Sequence, residues 1–263
     1  MRSNAVLPAF LLAASMAAPT AAGADFKEFH KAVPLDPDGR VSIETFKGWI
    51  DVETWDRPEV DVAARIEPDD SGRHQAEKVR ETEVRIEGSG SRVRIKSDYD
   101  AVHHRGFLGI FGDDRTLPFV RYTVKLPPTA HLKVNDYKSQ SRVAGLRGGL
   151  DFETYKGRVE IRDLEGAVRL QTYKGEVDAA FARFAASQFE TYKGDIRIAL
   201  PRSSGFDLDA DLGRHGDLQT EFEVAMKVLG RHGSGERQRG SVNGGGPELR
   251  LQTYRGSFRI LSR

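Results

Sequence analysis

The tetrapeptide Thr-Tyr-Lys-Gly recurs at 154–157, 172–175 and 191–194, and returns as Thr253-Tyr254-Arg255-Gly256. Looser copies stand upstream, at Thr45-Phe46-Lys47-Gly48 and around Tyr137-Lys138-Ser139. The tyrosines at 137, 155, 173 and 192 are 18, 18 and 19 residues apart. A period near 20 points to a stacked architecture, because a unit this short cannot bury a core of its own and must lean on its neighbours.

A second beat runs between the tyrosines. Gly148, Gly157, Gly166 and Gly175 fall nine residues apart, each followed by an alternating apolar segment, so one repeat holds two short strands. Val159 and Ile161, then Val168, Leu170 and Thr172, then Val177 and Ala179 occupy one face, with charged or amide residues between them. This is strand periodicity with one buried face. The third unit loses its second glycine at Phe184–Ser187 and gains one residue. The fold class expected is all-β: a repeat β-solenoid of about 18–19 residues per unit with an N-terminal strand region. The corner itself reads two ways. A chain reversal would make a series of hairpins; a bend would let each strand pair with its equivalent in the next unit, the arrangement that like repeats favour. In either case the glycine suits a position of positive φ.

Residues 1–24 read as an export leader: Arg2, an apolar run from Ala5 to Ala18, and the small-x-small site Ala22-Gly23-Ala24. No later segment approaches the roughly 20 apolar residues of a membrane-spanning helix. The chain has no cysteine, which excludes both a disulfide framework and a lipidated cysteine. An exported protein, periplasmic or extracellular, is the expectation. The formal net charge is +1, and Arg2 would leave with the leader. A nucleic-acid partner is not expected of so balanced a chain.

Three regions follow: the leader 1–24, an N-terminal β region 25–126 carrying an apolar loop near 103–115, and the repeat stack 127–263. Asp36-Pro37-Asp38-Gly39 looks like a turn, and Glu67 to Glu81 like a charged connector. Beyond Leu200-Pro201 the pattern loosens through a glycine-rich, basic segment before the corner at Tyr254.

Several stretches carry a resemblance: Val41-x-Ile43 to Gly48-x-Ile50-x-Val52, the lead-in Tyr122-Thr123-Val124-Lys125-Leu126-Pro127, the iterated Thr-x-x-Gly units, and the closing Gly240–Gly246 run before Leu249-x-Leu251-x-Thr253. In that order they resemble the putative bacterial adhesin family of β-strand-repeat domains of unknown function, over roughly residues 33 to 261. The resemblance implies an exported, β-helix-like scaffold with no catalytic residue to carry over. The Tyr-Lys pair before the corner glycine departs from the small polar residues usual in the family.

If the units stack in register, Tyr137, Tyr155, Tyr173 and Tyr192 align on one edge, with Lys138, Lys156, Lys174 and Lys193 beside them and Tyr254 and Arg255 as an extension. Such a row could stack on sugar rings or bases and hold anionic groups of envelope polysaccharide, lipopolysaccharide, peptidoglycan or a surface protein. It could equally be a product of repeat duplication, stabilised by its own stacking, with Glu153, Glu190 and Asp195 offsetting the lysines. The tip Phe107–Phe111, flanked by His103, His104, Arg105 and Arg115, reads either as a docking loop or as a cap over an open stack end. His215 and His232 have no cysteine partner, and no metal or other cofactor is expected. Asp207, Asp209 and Asp211 form the best carboxylate cluster, but as solvated strand positions they make no catalytic centre. The function expected is therefore non-catalytic: an adhesin-like scaffold binding an envelope or surface ligand. The alternatives are a carbohydrate-active enzyme on a β-helix, or a structural envelope protein acting by self-association.

Overall fold

The computed structural model describes residues 26–102, 116–232 and 235–263. The expected leader, 1–24, and the apolar loop with His103 and His104 lie outside the described residues. The chain is all-β. Its elements are β1 (Lys27–Thr54), β2 (Glu59–Glu67), the short helix α1 (Gln75–Glu81), β3 (Glu83–Asp98), β4 (Phe119–Leu126) and β5 (His131–Ala144). The repeats follow as β6 (Leu150–Thr154), β7 (Arg158–Leu164), β8 (Val168–Thr172), β9 (Glu176–Phe181), β10 (Ser187–Thr191) and β11 (Asp195–Leu200). After them come β12 (Phe206–Asp211), β13 (Asp217–Thr220), β14 (Ala225–His232), β15 (Gly235–Val242), β16 (Glu248–Thr253) and β17 (Ser257–Ser262). No helix among the described residues is long and apolar enough to cross a membrane.

Two parallel ladders run side by side. One joins the first half of β5 to β6, β8, β10, β16 and β12; the other joins its second half to β7, β9, β11, β17 and β13. β1 extends both, pairing Arg40–Thr45 with His131–Asp136 in the first half of β5 and Lys47–Glu53 with Lys138–Ala144 in the second. Every Thr-Tyr-Lys-Gly corner is therefore a bend between ladders and not a hairpin. Each repeat strand buries alternate residues, and those of both ladders join one core.

The inner rows follow from register. Val134, Phe152, Leu170, Phe189, Leu251 and Ala210 sit side by side across the first ladder; Val143, Ile161, Ala179, Ile198 and Ile260 do so across the second. All are buried. Each side chain of this size contributes about 1.5–3 kcal/mol on burial.

Chain order and ladder order part company at both ends. β16 and β17 slot between β10/β11 and β12/β13, so the last strands are not the outermost. At the other end β3 and β4 lie outside β1. Antiparallel strands flank two of these terminal rungs, β4 and β12: β2 pairs with β4 and with Lys27–Pro34 of β1, and β15 pairs with β12 and β14.

Two local expectations change. Asp36–Gly39 is not a free turn but the irregularity, between Leu35 and Arg40, at which β1 exchanges an antiparallel partner for parallel ones. The charged connector ends in α1, where Gln75 and Val79, four residues apart, turn one face inward.

The corner glycines are also explained differently. Only Gly48 and Gly157 adopt positive φ, at 138° and 155°. Gly194 and Gly256 are needed because the stacked corners nearly touch: an added Cβ would stand 2.1 Å from the Gly175 carbonyl oxygen and 2.2 Å from that of Gly194. At these corners a buried threonine locks the bend, Gly175, Gly194 and Gly256 donating their N–H to Oγ1 of Thr172, Thr191 and Thr253 at 2.8, 2.7 and 2.7 Å.

Candidate ligand-binding groove

Register brings the corners into one line. Backbone hydrogen bonds run through them, Lys156 N–H to the Tyr137 carbonyl, Lys174 to Tyr155, Lys193 to Tyr173 and Arg255 to Tyr192, each 3.0 Å. The rings follow. Phe46, Tyr137, Tyr155, Tyr173 and Tyr192 stack in sequence with centroids 4.8 Å apart and planes within 8° of parallel. Tyr254 continues the stack at 5.1 Å from Tyr192. The gap of 62 residues in sequence does not interrupt the row, because β16 and β17 lie directly against β10 and β11. Phe46 was legible as a corner residue but not as a member of the row.

This packing decides what the row can present. Each interior ring has both faces covered by its neighbours, so stacking a sugar or a base on those faces is geometrically closed. Ring edges and phenol hydroxyls remain, with Tyr137, Tyr155, Tyr192 and Tyr254 between 37% and 39% exposed.

The cations line the row on one side. Lys156 Nζ lies 5.8 Å from the Tyr137 centroid, Lys174 5.7 Å from Tyr173, Lys193 5.5 Å from Tyr192, and Arg255 Cζ 5.5 Å from Tyr254. At such exposed sites each contact is worth about 0.5–1 kcal/mol. None of these, nor Lys138, is in an ion pair among the described residues. The expected compensation by acids is absent: Asp195 instead accepts a hydrogen bond from Ser257 Oγ at 2.6 Å.

Lys47, at the corresponding corner of β1, turns inward. It pairs with Asp69 and stands 4.3 Å over the Phe119 ring, 9% of its side chain exposed. Burial pushes the Asp69 carboxyl up, but hydrogen bonds from Lys47 and Ser71 outweigh it and hold the pKa at about 2. The cationic row therefore begins at Lys138.

On the other side of the rings lies a groove of about 950 Å³ running the length of the row. Its floor comes from the residue two before each aromatic: Glu44, Asn135, Glu153, Gln171, Glu190 and Gln252, continued by Asp211 on the terminal rung. Carboxylate and carboxamide alternate without exception. Like charges directly opposite each other across a ladder are destabilising, and interleaved amides remove that juxtaposition. Gln171 donates to Glu190 at 3.3 Å. Sequence reasoning missed this row, although the position two before the ring would have disclosed it.

Asp136 occupies the threonine position of its corner, beside Thr45 and Thr154. Burial raises its carboxyl pKa against the pull of the Thr154 and Ser139 hydroxyls. Both of its oxygens, and Asn135 Oδ1, are buried in the groove wall without a hydrogen bond of normal geometry.

The carboxylates of β12 are tied into structure. Asp209 takes two bonds from Arg237, at 2.9 and 2.7 Å, and one from Arg239 at 3.1 Å; the Arg237 bonds above all hold its pKa at about 2, against burial. Asp207 accepts from Ser241 Oγ at 2.7 Å, and Asp211 from the Gly213 N–H at 3.2 Å. Among the described residues no three His, Asp or Glu converge as metal ligands.

No family model matches the chain, and no curated protein matches it. Solved structures do. One, named as a putative cell adhesion protein of Clostridium sporogenes, is similar over 90% of this chain and 100% of that one, at 11% identity and a TM-score of 0.45. Another, named as a putative adhesin of Bacteroides fragilis, is similar over 90% of this chain and 97% of that one, at 12% identity and a TM-score of 0.42. Solved structures bearing the adhesin name are thus similar to this chain, as the resemblance of its repeats implies.

Proposed function

We propose that this is an exported, non-catalytic, adhesin-like scaffold that binds an extended ligand of the cell envelope or cell surface along its corner line. In this reading residues 1–24 are removed on export, the N-terminal strand region 25–126 adjoins the repeats of 127–263, and the paired ladders act as a β-solenoid-like support. Tyr137, Tyr155, Tyr173, Tyr192 and Tyr254, with Lys156, Lys174, Lys193 and Arg255, form the recognition line, and an envelope polysaccharide, lipopolysaccharide or a surface protein is the class of partner.

The observation that carries the reading is the coincidence of a straight row of exposed phenol edges with a groove of matching length. Sites for extended ligands are concave, with a few polar groups fixing orientation. The carboxylates of β12, the best cluster for hydrolytic chemistry, are engaged by arginine, serine and backbone donors, which favours a binding role over a carbohydrate-active one.

The test is retention on immobilised envelope glycans of protein expressed from the whole gene and recovered after export, with Tyr155→Ser/Tyr173→Ser/Tyr192→Ser alongside. Retention by the native protein and loss in a variant that still unfolds cooperatively support the reading. Absence of retention on every glycan and on whole cells refutes it. N-terminal sequencing of the exported protein should begin at Asp25.

A further inference from the structure

The chemistry of the groove narrows the ligand. Its lining includes five carboxylates, those of Glu44, Asp136, Glu153, Glu190 and Asp211, and no lysine or arginine. The cationic row lies outside it, on the far side of the rings. Among the described residues Glu44 alone of the five is in an ion pair, with Arg94 at 2.8 Å, and Arg237 stands opposite Asp211 at the far end. The next row outward on the same ladder, including Lys133, Asp151, Arg169 and Arg250 and reaching Arg94 through Ser42, is mixed in sign, and among the described residues Arg94 is its one member in an ion pair with a groove acid. A polyanion would thus meet like charge where the surface is concave.

Spacing supplies the second constraint. Neighbouring strands are about 4.8 Å apart, so carboxylates on alternate rungs repeat at about 9.6 Å, and Glu44 to Asp211 spans about 29 Å. That repeat is close to the two-sugar repeat of an extended β-linked glycan. Between successive acids stands a carboxamide, which can both donate to and accept from a sugar hydroxyl or acetamide. Beside Glu153 and Glu190 stand the phenol rings of Tyr155 and Tyr192 on the ring wall.

We propose that the groove binds a linear β-linked amino-sugar glycan with free ammonium groups, lying parallel to the ring row. Alternate sugars place an ammonium on Glu153, Glu190 and their equivalents, and the intervening sugars lie over Asn135, Gln171 and Gln252. Asp136 and Asn135, whose buried oxygens make no hydrogen bond of normal geometry within the protein, accept from hydroxyls of the sugar nearest them. The proposal rests on the corner line being a ligand site, and supplies its chemistry.

Binding is measured by calorimetry on the exported protein with four probes: partly de-N-acetylated chitosan oligosaccharide, the fully N-acetylated oligosaccharide of equal length, polygalacturonate and oligolysine. Two variants accompany it, Glu153→Gln/Glu190→Gln, which makes the row amide from Asn135 to Gln252, and Lys156→Gln/Lys174→Gln. Chitosan should bind, and binding should fall about tenfold or more in the glutamate variant and on full acetylation, as two lost charge-assisted contacts require. Chitosan binding that falls in the lysine variant and is kept in the glutamate variant overturns the assignment of the groove acids as the ammonium site. Melting temperatures near the native value certify both variants as folded. Polygalacturonate binding that is lost in the lysine variant and kept in the glutamate variant overturns this proposal while leaving the corner line as a site. Oligolysine bound as tightly as chitosan, with the same dependence on glutamate, overturns the glycan assignment. No binding of any probe overturns this proposal, while retention on envelope glycans or whole cells separately decides the broader reading.

Discussion

Replacing Tyr173 isolates the energy of the ring row, because it stands at the centre with one ring on each face at 4.8 Å. Truncation to alanine removes two stacking contacts, each worth about 0.5–1.5 kcal/mol beyond area. It also exposes apolar ring surface on the order of 100 Å², or about 2.5 kcal/mol at 25 cal/mol/Å². Relaxation of the flanking rings offsets part of this, so the net loss should be about 2–4 kcal/mol, within the range of large-to-small aromatic substitutions. For a chain of this size the melting temperature should fall by roughly 2–4 °C per kcal/mol, or about 4–16 °C in all. Tyr173→Phe keeps the ring and loses only a hydroxyl, so it should melt within about 2 °C of the native protein. Thermal unfolding followed by calorimetry measures the shift. Near-ultraviolet circular dichroism should show that alanine, and not phenylalanine, breaks the electronic coupling between the two halves of the stack. An alanine variant that melts with the native protein would refute the claim that stacking stabilises the corner line. A phenylalanine variant as weak as alanine would show the hydroxyl, not the ring, to be the source of stability.

Two further outcomes follow from the corners and the terminal rung. Gly194→Ala should cost about 1–3 kcal/mol by forced displacement, since its Cβ would stand 2.1 Å from a carbonyl oxygen, and chemical denaturation should register the loss without a change in slope. For Asp209 the folded pKa, about 2, is depressed below the ordinary 3.8, so its contribution is fully present above about pH 4 and fades as pH falls through 2. That contribution is about 2 kcal/mol; Asp209→Asn should lose it at neutral pH, and the variant's stability should decline less steeply between pH 4 and 2.

The corner tetrapeptide made the parallel ladders legible, because a threonine, a ring, a cation and a glycine at constant offset can align only if like pairs with like. The all-β class, the inner rows and the tyrosine line follow from that periodicity. What it does not carry is ladder order. The link from Leu212 to Gly216 between β12 and β13 has neither the threonine nor the ring of a stacking corner, whereas Thr253-Tyr254-Arg255-Gly256 has both. The later unit therefore fits against β10 and β11, and the earlier one is displaced outward. Strand alternation is a local signal and is silent on such exchanges. The role of Lys47 was hidden for a related reason: its partner Asp69 belongs to a connector without repeat character, and only tertiary packing brings them together.

The displaced terminal rungs have a consequence for how such a chain can change in length. A stack that simply ended would offer its last strand as a template, and duplication of the final unit would extend it indefinitely. Here β16 and β17 are clasped between β10/β11 and β12/β13, and the outer rungs β4 and β12 have antiparallel neighbours. Growth from within needs only a copy of one of the interior units between Leu150 and Leu200. Each copy would add one ring to the row and about 4.8 Å to the groove, and a pair of copies would preserve the alternation of acid and amide. The repeat number thus acts as a ruler, and the length of the ring row and its groove becomes a heritable quantity set in steps of one rung.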